Sequence, residues 1–129
     1  MATVLVADDE QDMRALLSKL LSKAGHDVIQ AVDGKEALEL AITLEPDVIL
    51  LDVSMPAMGG LEVLKKLRES PQTRAIPVIF LSAHPIFEWD ADARGPNARN
   101  LGPTFYISKV WKRGAIERAI RNSVGGRRQ

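Results

Sequence analysis

The strongest constraint on this chain is an alternation. Short runs rich in β-branched and other apolar residues take turns with segments whose apolar residues recur at helical spacing, and that is how repeated strand–helix–strand units read in sequence. The strand-like runs are residues 3–7, 28–31, 47–51, 77–81 and 104–107. Met13, Leu16, Leu17, Leu20, Leu21 and Ala24 form a stripe that predicts a first helix stopping at Gly25. Ala37, Leu38, Ala41 and Ile42 predict a second helix closed by Pro46. Leu61, Val63, Leu64 and Leu67 predict a third ending before Pro71, and residues 110–124 a last one. The third and fourth runs are almost continuously apolar, as strands are when helices cover both faces of a parallel sheet. The expected fold class is α/β, a doubly wound parallel sheet.

With 129 residues, of which 46% are hydrophobic, the chain can bury a core as one domain without a metal or disulfide staple. We expect that domain over residues 1–124, followed by a flexible tail at 125–129. Cysteine is absent, which excludes a cysteine nucleophile, a thiolate zinc site and an iron–sulfur cluster. Seventeen basic residues balance seventeen acidic ones, so no global positive field exists to hold nucleic acid or an anionic membrane. The balance conceals a polarity, because seven bases and the single acid Glu117 fall in residues 109–129. That basic last helix points to an acidic partner surface. The apolar runs fall short of the ~20 residues that cross a bilayer, and the start lacks the basic and apolar regions of a signal peptide. The expected location is cytoplasmic.

One stretch breaks the alternation. Residues 84–103 hold three prolines, two glycines and two asparagines where a fourth crossover helix belongs, which predicts an irregular or shortened fourth helix flanked by loops.

In an open parallel sheet, chemistry collects at the carboxyl ends of the strands. Asp8, Asp9 and Glu10 follow the first run, Asp52 ends the third, Ser82 the fourth, and Lys109 follows the fifth. Acids gathered without a basic partner repel one another, and a hard divalent cation with oxygen ligands relieves that repulsion. Mg²⁺ fits, with Lys109 and Ser82 left to hold the remaining oxygens of a phosphoryl group. No GxxxxGK[ST] loop is present, so the site is not a nucleotide cradle. Simpler roles exist for the same residues: Asp8 or Asp9 as cap of the first helix, Ser82 as cap of the next segment, Lys109 as a solvated surface lysine, and Tyr106 as a half-buried strand aromatic. His26 and His84 have no metal-ligand company in the sequence.

Taken in order, these motifs resemble the receiver domain of two-component response regulators over the whole chain: the acid pair Asp8-Asp9, the segment LLDVSMPAMGG with Asp52, Met55, Pro56 and Gly60, the LSA segment with Ser82, Tyr106, and Lys109. The resemblance implies a five-stranded sheet of flavodoxin-like order 2-1-3-4-5. It implies that Asp52 accepts a phosphoryl group from a phosphohistidine on a sensor histidine kinase or histidine phosphotransfer protein. Mg²⁺ would be held by Asp8, Asp9, Asp52 and the Ser54 carbonyl, and Lys109 would neutralise a phosphoryl oxygen. Ser82 and Tyr106 would act as the switch that alters a surface for an output protein. On this reading the chain is no enzyme beyond its own phosphorylation and dephosphorylation.

The sequence also departs from the family pattern. Val110 replaces the proline that usually follows the lysine, Gly102-Pro103 replaces Gly-Ala, Gly59 replaces an acid before Gly60, and the stretch from Ser82 to Lys109 is long. A cis bond before a non-proline residue costs about 2.5 to 4 kcal/mol, so a trans Lys109–Val110 peptide is expected. These departures keep a second reading open, a phosphorylation-independent protein-interaction module. A haloacid dehalogenase-like phosphatase fits less well, since Asp52-Val53-Ser54 lacks the second acid of a DxD nucleophile motif.

Overall fold

A computed structural model describes residues 2–52, 58–82, 104–108 and 120. Its elements run β1 (Thr3–Ala7), α1 (Gln11–Lys23), β2 (Asp27–Ala31), α2 (Gly34–Leu44), β3 (Val48–Asp52), α3 (Gly60–Glu69), β4 (Val78–Ser82) and β5 (Thr104–Ser108). The strands form one sheet in the order β2-β1-β3-β4-β5, and every neighbouring pair is parallel. The expected fourth helix at 84–103, the Lys109–Val110 peptide and the tail at 125–129 lie outside the described residues. So does nearly all of the last helix, of which Ile120 alone is described and is helical.

Burial follows the two-residue period of a strand. Leu5, Ala7, Ile49, Leu51, Val78 and Phe80 face one way and pack with Ala37 and Ala41 of α2 and with Val63, Leu64 and Leu67 of α3. Val4, Val6, Val48, Leu50, Ile79 and Leu81 face the other way and pack with Leu17 and Leu21 of α1 and with Ile120. Both faces of β1, β3 and β4 are therefore dry, which explains why those runs carry almost no polar residue.

Local chemistry sets where the elements stop. Gly25 takes φ 93 while its N–H donates to the Ser22 carbonyl and that of His26 donates to the Leu21 carbonyl at 3.0 Å. This is a glycine-terminated helix end, as the sequence predicts. Asp33 caps α2 by accepting from the Glu36 N–H at 2.8 Å, and Glu36 Oε1 accepts from the Val32 N–H at 3.0 Å, a reciprocal cap. α2 stops just before Pro46, as expected, and the residue that turns the chain is Glu45, at φ 45 and ψ 63. The fourth strand begins at Val78 rather than at Pro77, since proline has no N–H for the ladder; its carbonyl still accepts from the Ile49 N–H at 3.0 Å.

The α3–β4 connection is tied down by polar side chains. Thr73, fully buried, donates from Oγ1 to the Leu67 carbonyl at 2.6 Å. Arg68 Nη1 reaches the carbonyls of Thr73, Arg74 and Ile76 at 3.2, 3.1 and 2.7 Å. Burial pushes the Arg68 guanidinium down to about 10, so it remains charged at neutral pH.

Candidate functional site

Strand register brings the site together. Ala7 of β1 pairs with Leu51 of β3, so Asp8 and Asp52 each stand one residue beyond a paired position on adjacent central strands. Asp52 pairs with Leu81, and Ser82 pairs with Ser108. Asp8, Asp52, Ser82 and Ser108 therefore follow one another along the carboxyl edge of the sheet, where α/β proteins bind their ligands. Tyr106 lies in β5, in register with Phe80. Lys109, the residue after Ser108, and Ser54 lie outside the described residues.

The turn out of β1 shapes the acidic part. Asp8 is fully buried; its N–H continues the ladder to the Ala31 carbonyl at 3.3 Å, and its Oδ1 accepts from the Glu10 N–H at 2.9 Å. That two-residue loop is the Asx turn for which aspartate is suited. Arg14 Nη1 adds a bond to the Asp8 carbonyl at 2.7 Å, so α1 holds the turn from its other side. The cap position itself belongs to Glu10, whose side chain makes no capping bond. The alternative of Asp8 or Asp9 as helix cap is thereby corrected: Asp8 spends its oxygen on the turn that precedes the helix.

As a result Asp9 and Glu10 are exposed at the rim beside the buried Asp8. One carboxylate oxygen from each of Asp8, Asp9 and Glu10 lies within 4.8 Å of the others. Asp52 is 3% exposed at the end of β3. Glu10 was absent from the ligand set expected from sequence, although its adjacency to Asp9 and its place just before α1 were both visible there. A close set of carboxylate oxygens is the donor chemistry that a hard cation such as Mg²⁺ takes, and the residues present fit that ion.

A doubly wound α/β sheet with an acidic, oxygen-rich site at its carboxyl edge is thus the class of protein. The sequence model for the response regulator receiver domain matches residues 4–121, and the chain belongs to that family, the receiver domains of two-component signal transduction. The alkaline phosphatase synthesis transcriptional regulatory protein PhoP of Bacillus subtilis is 46% identical over 80 residues, which are 62% of this chain and 32% of that protein. The response regulator PleD of Caulobacter vibrioides is 40% identical over 111 residues, 84% of this chain and 23% of that protein. The chain spans about a third or less of the length of these relatives. Among solved structures, the Vibrio cholerae chemotaxis protein CheY4 superposes with a TM-score of 0.84 at 31% identity, covering 95% of this chain and 98% of that one. The receiver domain of the Francisella response regulator 1452 gives 0.83 at 31% identity, with 98% of each chain covered. No helix among the described residues is long and apolar enough to cross a membrane.

Proposed function

We propose that this chain is a phosphoacceptor receiver in a phosphorelay and that Asp52 is the residue phosphorylated. A carboxylate oxygen of Asp52 attacks the phosphorus of a phosphohistidine on a sensor kinase or phosphotransfer protein. The new bond is an O–P bond, the P–N bond breaks, and the leaving imidazole takes the electron pair. Such a step asks for positioning and charge neutralisation more than for proton transfer. Asp8 and Asp9, with Asp52 and the Ser54 carbonyl, would hold Mg²⁺, which when bound offsets the negative charge of the incoming phosphoryl oxygens. Lys109 would neutralise another oxygen. Ser82 and Tyr106 would report the modification by shifting the equilibrium between two arrangements of the output surface.

The observation that carries this reading is the register that ends β3 in buried Asp52 on the strand next to β1, which leads into the Asp8–Asp9–Glu10 cluster. A buried carboxylate at the same sheet edge as a set of oxygens suited to a cation is what an anionic donor requires. We further propose one receiver domain over residues 1–124, with the long 84–103 stretch as its fourth crossover and 125–129 as a tail. The chain would act by protein contact and turn over no external substrate.

The test is intact mass after incubation with acetyl phosphate and Mg²⁺. One added phosphoryl group, absent with a chelator and absent in Asp52→Asn, is the expected result. No adduct under any of these conditions overturns the phosphoacceptor reading and favours the phosphorylation-independent module.

A further inference from the structure

We propose that Gly34 is a positioning residue for phosphoryl acceptance, because its bare Cα lets the main chain at Met58 seat against the start of α2; this rests on the acceptor role of Asp52 proposed above. Gly34 is the first residue of α2 and is buried. A Cβ placed on it would lie 2.5 Å from the Met58 carbonyl oxygen, 2.7 Å from Val63 Cγ2 and 3.0 Å from Met58 Cβ. Val63 Cγ2 belongs to a buried β-branched side chain with little rotamer freedom, and the Met58 carbonyl belongs to the backbone. Restoring an ordinary contact of 3.4 Å from 2.5 Å means a retreat of about 0.9 Å by one chain or the other.

The α2 side does not yield easily. Its first turn is locked by the Asp33 and Glu36 caps at 2.8 and 3.0 Å, and Ala37 and Ala41 are buried in the core behind it. The retreat therefore falls on Met58, six positions after Asp52 in the sequence. Asp52 is held by its pairing to Leu81, and α3 begins at Gly60 with Val63 N–H on the Gly59 carbonyl at 3.1 Å. Met58 is thus the far anchor of the chain that leaves the acceptor, and Gly34 sets where that anchor stands. Helix propensity alone favours alanine over glycine at such a position. The glycine is explained by space, and the space is taken by the acceptor's own connection.

The experiment measures the rate of phosphorylation by acetyl phosphate at saturating Mg²⁺, together with the urea midpoint, for the parent, Gly34→Ala, Met58→Gly and Ala41→Gly. Ala41→Gly weakens the same helix without adding bulk toward Met58. Gly34→Ala is expected to react about 10- to 100-fold more slowly, the cost of an ångström-scale misplacement, while Ala41→Gly keeps the parent rate despite a lowered midpoint. Met58→Gly loosens the same anchor without a clash and decides the matter if Gly34→Ala does not fold; it too is expected to be about 10-fold slower. A Gly34→Ala protein that folds and reacts at the parent rate overturns the inference, as does a Met58→Gly protein at the parent rate. An equal loss in Ala41→Gly would reduce Gly34 to a stability role. A parent that takes no phosphoryl group overturns the acceptor reading and this inference with it.

Discussion

Replacing Asp8 with asparagine separates the electrostatic part of the site from its architecture. Asparagine keeps an oxygen at the Oδ1 position, so the Asx turn to the Glu10 N–H at 2.9 Å survives, as does the main-chain bond from Arg14. What is lost is one negative charge within 4.8 Å of two others. Because Asp9 and Glu10 are exposed, the water-like end of the Coulomb range applies, about 1 kcal/mol for each pair at that spacing. Without a divalent ion, Asp8→Asn should therefore be more stable than the parent by about 1 to 2 kcal/mol. Mg²⁺ reverses the ordering. An ion at about a hundred times its Kd adds about 2.7 kcal/mol to a protein that binds it only when folded, and the parent should gain that while Asp8→Asn should not. Urea unfolding followed by circular dichroism, in chelator and in Mg²⁺, reads both effects as midpoint shifts at constant slope. Equal gains from Mg²⁺ in both proteins would refute the assignment of Asp8 to the ion. A variant less stable than the parent in chelator would refute the repulsion argument.

Other substitutions probe the frame that carries the site. Thr73→Val removes a buried hydroxyl that donates to the Leu67 carbonyl at 2.6 Å, and calorimetry should record a loss of about 1 to 2 kcal/mol. Arg68→Ala should cost about 2 to 3 kcal/mol through its bonds to three carbonyls. The Arg68 pKa is lowered to about 10 from 12.5, so the unfolded chain binds more protons between those values and this group's contribution to stability rises with pH only there. Urea midpoints of the parent and Arg68→Ala should then differ by the same amount at pH 6 and pH 8. Glu45→Gly should stabilise the protein by about 1 kcal/mol, since φ 45 is strained for a side chain and open to glycine; a lower melting temperature would show that the Glu45 side chain matters more than its backbone.

The layered sheet was readable because its signals are local and redundant. Leu17 and Leu21 sit one helical turn apart, Gly25 marks a left-handed stop, and the uninterrupted run of β3 announces a strand covered on both faces. Asp52 was legible for the same reason, as the first acid after that run. Element ends were less so: Glu45 takes the left-handed turn that Pro46 seemed to announce, and no composition rule foretells that a glutamate will do so. The cap of α1 stayed open in sequence because aspartate favours both caps and Asx turns, and only the bond from Glu10 N–H to Asp8 distinguishes them. Gly34 was invisible in its own segment. Its reason is a contact with Met58, and contacts between distant segments leave no periodic trace in sequence.

The central claim is that Asp52, rather than any acid of the neighbouring cluster, takes the phosphoryl group. Borohydride reduction of the phosphorylated protein converts an aspartyl phosphate to homoserine, which tandem mass spectrometry locates in the sequence. The account predicts homoserine at position 52 alone, formed only when Mg²⁺ was present during phosphorylation. Homoserine at position 8 or 9, or its absence from a protein that carries the added mass, would contradict it.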